Sequence, residues 1–228
     1  MRRDIYYRLA AITAAAALLA GCATQEPPMD KFSGYLGSYS GLQEVPGSHG
    51  TRYRWVSPEL NPKKYHAVLI PDVVFYPEPQ PTARVSQQTL DEIQKYATTA
   101  LRRATAQKTK VVNTPGKGVV VIKVAITAVA HQEKGLAPYQ YVPIAFVVTT
   151  ASRAATGTPD EAKLIMEGQA TDSLTGVILG KAVRTGTGKE LAKAASGEKV
   201  VTLADLQPLI DAWARDVVEQ TNQFVAPR

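Results

Sequence analysis

The chain is poor in the residues that carry most enzyme chemistry. It holds one cysteine, Cys22, and three histidines among 228 residues. One cysteine excludes an intramolecular disulfide, so the fold must rest on its core. His49, His66 and His131 lie far apart and no H-E-x-x-H pattern occurs, which leaves no metal site to read. Each is read as a surface or strand-end histidine. No G-x-S-x-G elbow is present. Gly186-Thr187-Gly188-Lys189 is the nearest approach to a phosphate loop. Glu190 stands where Ser or Thr is required, however, and Val183 stands where the first glycine should be. The adjacent acids Asp91-Glu92 point to different sides of a helix, and Asp160-Glu161 falls in a loop, so neither forms an acid–base pair. These absences lead to an expectation of no catalytic residue, no cofactor and no enzymatic activity. Long apolar runs are also missing. Leu9 to Ala20 is too short to span a bilayer, which takes about 20 residues.

What the chain does have begins at its N-terminus. Arg2, Arg3 and Arg8 precede the apolar run, and small residues lead into Gly21 and Cys22, the layout of a secretory signal peptide. Leu19-Ala20-Gly21-Cys22 resembles the lipobox of bacterial lipoproteins. The resemblance implies cleavage between Gly21 and Cys22 and a diacylglyceryl thioether on Cys22, with the membrane as partner through N-terminal acyl chains. One acyl chain binds only marginally, at roughly 0.8 kcal/mol per buried CH₂, whereas two or three anchor stably. The next residue is Ala23 rather than Asp, which by analogy with Gram-negative sorting implies the outer membrane.

The expected organisation is a signal peptide over residues 1–21, a lipidated cysteine and tether over 22–31, and one globular domain over 32–228 with an irregular N-terminal arm. Residues 1–21 carry three arginines and one aspartate, so +2 of the formal charge of +6 leaves with them and +4 remains. The basic residues are scattered, with Lys63-Lys64 and Arg102-Arg103 as the adjacent pairs after cleavage. This is a solvated surface with some attraction to anionic headgroups, and no nucleic-acid partner is expected.

Gly34 to Gly50 is rich in Gly, Ser and Tyr and reads as the arm, with Tyr35, Leu36, Tyr39 and Leu42 as its contacts. Tyr53, Trp55 and Val56 alternate with Arg52 and Arg54 as a short strand. Tyr65 to Tyr76 is a buried-type strand interrupted by Pro71, hence an edge strand that is bulged or broken. Ser86 to Ala106 has a helical stripe of Leu90, Ile93, Ala97, Leu101 and Ala104, opened by Ser86 or by a Thr89-x-x-Glu92 capping box. Val119 to His131 is the clearest strand, with Val120, Ile122, Val124, Ile126 and Ala128 on one face. Gly135 to Pro143 is a loop. Ile144 to Ala155 is balanced between strand and helix, with Pro143 and Gly157 favouring helix. Ala162–Asp172 and Val177–Arg184 form a hairpin through Ser173-Leu174-Thr175-Gly176. Gly186 to Lys199 is expected to be mobile. Leu203 to about Phe224 is a helix capped by Thr202, with a stripe of Leu206, Ile210, Trp213, Val217 and Phe224.

These elements predict an α+β, two-layer sandwich of a mixed, mainly antiparallel sheet with helices packed on one face. Four stretches resemble a family of bacterial lipoproteins known as a domain of unknown function. They are Phe32-Ser33-Gly34-Tyr35-Leu36 with Tyr39-Ser40, Tyr53 to Val56, the Asp172 to Gly176 turn, and Asp211-Ala212-Trp213-Ala214. The resemblance implies a lipid-anchored envelope protein and supplies no catalytic residue. The leading expectation is a non-enzymatic binding or structural module facing the periplasm, with an envelope protein as partner. A module for a small amphipathic or lipid ligand, lined by Trp55, Tyr139, Tyr141 and Phe146, is the alternative, and a cell-wall hydrolase the third. Oligomeric state is not readable.

Overall fold

The computed structural model describes residues 32–46, 49–133, 160–191 and 199–225. The signal peptide, Cys22, the tether, the 135–143 loop, residues 144–155 and the aromatic residues Tyr139, Tyr141 and Phe146 lie outside them.

The described residues form eight strands and two long helices. The strands are β1 (Gln43–Val45), β2 (Thr51–Val56), β3 (Ala67–Leu69), β4 (Val74–Phe75), β5 (Lys110–Val112), β6 (Val119–Glu133), β7 (Asp160–Asp172) and β8 (Ile178–Glu190). The helices are α1 (Gln87–Ala106) and α2 (Leu203–Thr221). One sheet runs in the order β1-β2-β8-β7-β6-β3-β5, with β4 also pairing β6. Pairings from β1 through β6 are antiparallel, while β3 runs parallel to both β6 and β5. The expected α+β class with a mixed, mainly antiparallel sheet is what the chain adopts.

Helix α1 starts where the sequence places it. Ser86 is the N-cap, its hydroxyl accepting from the Thr89 backbone N–H at 3.1 Å, so Thr89 is the third helical residue rather than a cap. Leu90, Ile93, Ala97 and Leu101 are buried and face the sheet. Burying each of the larger side chains contributes about 1.5–3 kcal/mol. At α2, Asp205 accepts from the Thr202 backbone N–H at 2.8 Å and from its hydroxyl at 2.7 Å, tying the helix start to its first turn. Leu206, Leu209, Ile210, Trp213 and Val218 are buried along it. Tyr96 of α1 donates to Asp211 of α2 at 2.7 Å and accepts from Gln207 at 3.1 Å. Both helices thus share one core with one face of the sheet.

Several expectations are corrected. The Tyr65–Tyr76 stretch is broken at Pro71 as expected, and its second half, β4, pairs β6 alone among the described strands and so lies at an edge; its first half, β3, does not, because β5 pairs on its outer side. The break is satisfied from α1: Arg102 donates to the Ile70 carbonyl at 2.9 Å, Gln94 to the Val73 carbonyl at 2.8 Å, and Thr98 accepts from the Val73 N–H at 3.0 Å. Side-chain partners replace the ladder that proline removed. Second, the apolar face of β6 does not run straight through Ala128. The pairing with β7 shifts between Ile126 and Ala128, so Val129 rather than Ala128 joins Val120 and Ile126 in the core. A bulge adds one residue and reverses the alternation. Third, Gly186 to Glu190 is not mobile loop but the end of β8, and Asp160-Glu161 opens β7 rather than lying in a loop.

Part of the face of the sheet opposite the helices is covered by the arm. Leu36, Tyr39 and Leu42 are buried against Val183, with Phe32, Tyr35, Tyr53, Trp55 and Ile165 packed around them.

Candidate functional site

At the centre of the arm-covered face sits Glu167. It lies midway along β7, paired with Ala125 of β6 and Val183 of β8, and is 1% exposed. A carboxyl group in that position is costly unless it is hydrogen-bonded. The arm supplies the bonds. The Ser33 backbone N–H donates to Oε1 at 3.0 Å, and the Tyr39 hydroxyl donates to Oε2 at 2.5 Å. The Gly34 N–H in turn donates to the Tyr39 oxygen at 2.8 Å. Phe32 stacks on the Tyr39 ring at 4.5 Å between centroids and meets Tyr53 edge-on at 6.0 Å. Burial, reinforced by the bond to Glu167, pushes the Tyr39 hydroxyl up to about 12. Burial and the Glu167 charge raise Tyr35 as well. At neutral pH both phenols stay protonated, the form in which Tyr39 donates to Glu167. The arrangement is a latch: the segment that leaves the tether is fixed to the middle of the sheet through one carboxylate.

Trp55 lies on β2 facing the arm, half-buried, with Gly41 of the arm over its indole and the Lys181 ammonium 6.0 Å from the ring centroid. Lys181 also donates to the Ser38 carbonyl at 2.7 Å. An open groove of about 470 Å³ runs beside Trp55, lined by Gly41, Gln43, Val45, Arg54 and Val56. It is wide in mouth and mixed in polarity, unlike the mostly apolar cavity that encloses a small ligand.

The Asp172-Ser173-Leu174-Thr175-Gly176 turn is a framework feature. Asp172 accepts from the Leu174 and Thr175 N–H groups, each at 2.9 Å, and from Tyr65 at 3.1 Å, and these bonds hold its carboxyl below the usual range. Ser173 donates to the Gly116 carbonyl at 2.8 Å, and Gly176 adopts φ +73°. Gly186 and Gly188, in the stretch weighed against a phosphate loop, are instead where α2 presses on β8. A Cβ on Gly186 would lie 2.6 Å from Trp213, and one on Gly188 2.4 Å from the Asp205 carbonyl. His49 and His66 are exposed and not clustered, and no group of three or more His, Cys, Asp or Glu side chains stands ready for a metal among the described residues.

Sequence reasoning missed Glu167. The alternation along β7 puts it opposite Met166 and Leu164 and therefore reads it as solvent-facing. The available signal was the Gly- and Tyr-rich arm, whose aromatic residues need a surface to cover.

Against known proteins, the family model described as "Protein of unknown function (DUF3313)" matches residues 31–217. An Escherichia coli K12 protein described as "Uncharacterized lipoprotein YdcL" is 33% identical over 217 residues, covering 95% of this chain and 96% of that protein. Among solved structures, a PelC dodecamer from Paraburkholderia phytofirmans has a TM-score of 0.35 at 12% identity, covering 78% of this chain and 99% of that one. A putative neuraminyllactose-binding hemagglutinin homolog from Helicobacter pylori has a TM-score of 0.34 at 11% identity, covering 75% and 91%. At such scores neither likeness bears on function. The family match and the near full-length relative do decide membership: this chain belongs to the DUF3313 family and is a lipoprotein.

Proposed function

We propose that the protein is a non-enzymatic binding or structural module of the cell envelope, carried on acyl chains at Cys22. It faces the periplasm from the outer membrane and engages an envelope protein. The observation that carries this reading is the latch at Glu167. Nine residues lie between Cys22 and Phe32, ten steps along the chain, so the tether reaches no more than about 35 Å. Directly after it, Ser33 and Tyr39 are bonded to a carboxylate in the middle of the sheet. A lipid at Cys22 therefore leads by a short leash into a point fixed on the domain. The domain is held close to the bilayer, within reach of other membrane-bound proteins.

Intact-mass measurement of the protein from its native envelope tests the anchor. The expected mass is that of a chain starting at Cys22 with acyl groups added. An unprocessed or differently cleaved N-terminus without acyl mass on that sulfur overturns it. Crosslinking and pull-down of the native form against Cys22→Ala tests the partner, which should be captured by the anchored form alone.

A further inference from the structure

On the helix-covered face, at the β2 side of the sheet, the side chains are not apolar. Arg52 and Arg54 of β2 and Arg184 of β8 all lie on this face, because Arg52 is the direct cross-strand partner of Arg184 and Arg54 that of Ala182. Like charges directly opposite one another in an antiparallel pair are unfavourable. One carboxylate answers them: Asp216 of α2, which accepts from Arg184 Nη1 at 2.8 Å. Arg52 and Arg54 make no ion pair among the described residues. Arg52 donates to the Pro46 carbonyl at 2.5 Å, and Arg54 donates to the side chain of Gln223. Among the described residues the cluster therefore holds three positive charges and one negative.

Two donors in it are left over. Arg184 is 7% exposed, and its Nη2 has no hydrogen-bond partner among the described residues; Arg52 Nε is likewise buried and without one there. An unsatisfied buried donor is costly, and more so on a charged group. The Arg184 guanidinium lies 6.0 Å from the Trp213 ring, but that contact uses the charge over the ring face and gives the N–H no acceptor. Burial, and after it the neighbouring Arg52, lower the Arg184 pKa against the opposing pull of Asp216.

We propose that Arg52, Arg54 and Arg184, where β2 and β8 meet α2, form a binding site for a phosphate-type oxyanion. Arg184 forms the floor, and the half-buried Arg52 and Arg54 form the rim. A phosphate group offers several acceptor oxygens and up to two negative charges, which matches the two unanswered positive charges and the two orphan donors. A carboxylate offers half the charge and two oxygens. Guanidinium is also the side-chain group whose fork best fits phosphate. The anion is either free inorganic phosphate or the phosphomonoester headgroup of a lipid such as phosphatidic acid, the two sources that carry more than one negative charge. The site rests on the arginines alone and not on lipidation of Cys22.

Thermal unfolding of the full-length protein, followed by Trp213 fluorescence, tests it in two arms. In one, inorganic phosphate replaces chloride at constant ionic strength. In the other, phosphatidylcholine vesicles are compared with vesicles containing phosphatidic acid. A saturable rise in Tm is expected, about 3–6 °C at ten times the dissociation constant. Arg52→Gln should be as stable as the parent or more so without ligand, since the opposed pair with Arg184 is gone, yet should lose the response at least tenfold in apparent affinity. A purely structural arginine would do the reverse, lowering Tm and leaving the response intact. Arg54→Gln gives a second reading should Arg52→Gln fold poorly. A response to inorganic phosphate that is lost in the variants supports a free anion. A response confined to phosphatidic acid and lost in the variants supports a headgroup. No saturable shift in either arm, or equal shifts in parent and both variants, overturns the proposal.

Discussion

Glu167 and Tyr39 are 128 residues apart in the chain and 2.5 Å apart in space. Among the acidic residues whose burial is described, Glu167 alone is buried. The bond joins the arm that follows the tether to the central part of the sheet, so the position of the arm and the solvation of Glu167 stand or fall together.

Tyr39→Phe should therefore destabilise by about 1–3 kcal/mol, the range for leaving a buried acceptor short of a donor. Glu167→Ala should cost at least as much, since it removes the shared acceptor and leaves a cavity under the arm. Urea unfolding with matched m-values checks both. Trp55 emission should shift to the red in the variants, because its indole packs under Gly41 of the same arm.

Alkaline titration should release the arm. The folded-state pKa of Tyr39, about 12, lies above its ordinary value of 10.0. A raised pKa means the protonated phenol is the favoured form in the folded state. Its contribution is fully present below about pH 10 and is lost as pH rises toward 12. Phenolate absorbance and Trp55 emission should change together in that window, and the coupling should vanish in Tyr39→Phe.

Asp172 works in the opposite direction. Its carboxyl is held low first by the Thr175 N–H and then by Leu174 and Tyr65. Its contribution is present above the ordinary carboxylate pKa and is lost as pH falls through the lowered value. Asp172→Ala should cost about 1–3 kcal/mol at neutral pH through the lost turn and Tyr65 bonds. The gap between variant and parent should narrow in acid, as measured by thermal melts from pH 7 down to about 2.

Gly186→Ala should destabilise by about 1–3 kcal/mol, the usual penalty for overpacking. The added methyl would meet Trp213 at 2.6 Å, the His49 carbonyl at 2.8 Å and Leu209 at 2.9 Å. Near-ultraviolet circular dichroism of Trp213 should change. Gly176→Ala should be milder and leave Trp213 untouched, since nothing lies near that Cβ and the cost there comes from φ +73° alone.

Much of the architecture was legible because it is written locally. The α1 stripe of Leu90, Ile93, Ala97 and Leu101 needs only the helical period, and Ser86 and Thr202 mark the two helix starts in the way capping chemistry requires. The β7–β8 hairpin follows from Asp172, whose side chain closes its own turn, and from Gly176. Where the reading slipped, a distant segment intervened. Pro71 makes the whole stretch look like an edge, but Arg102, Gln94 and Thr98 of α1 replace the missing bonds and β5 covers the outer side of β3, which leaves only β4 at an edge. Gly186 and Gly188 look like flexible punctuation, but α2 needs their bareness to approach the sheet.

The sequence by itself determined where the helices begin, where the hairpin turns, which strands alternate and that one cysteine follows a lipobox-like run, since each depends on neighbours within a few residues. Only the tertiary structure decided that Glu167 is buried, that the face of β6 reverses at Thr127, and that Arg52 stands opposite Arg184. Those three outcomes depend on which strand pairs with which, in what register, and on what folds over the sheet. Alternation within one strand assigns a residue to a face, but whether that face meets water is settled by chain more than a hundred residues away.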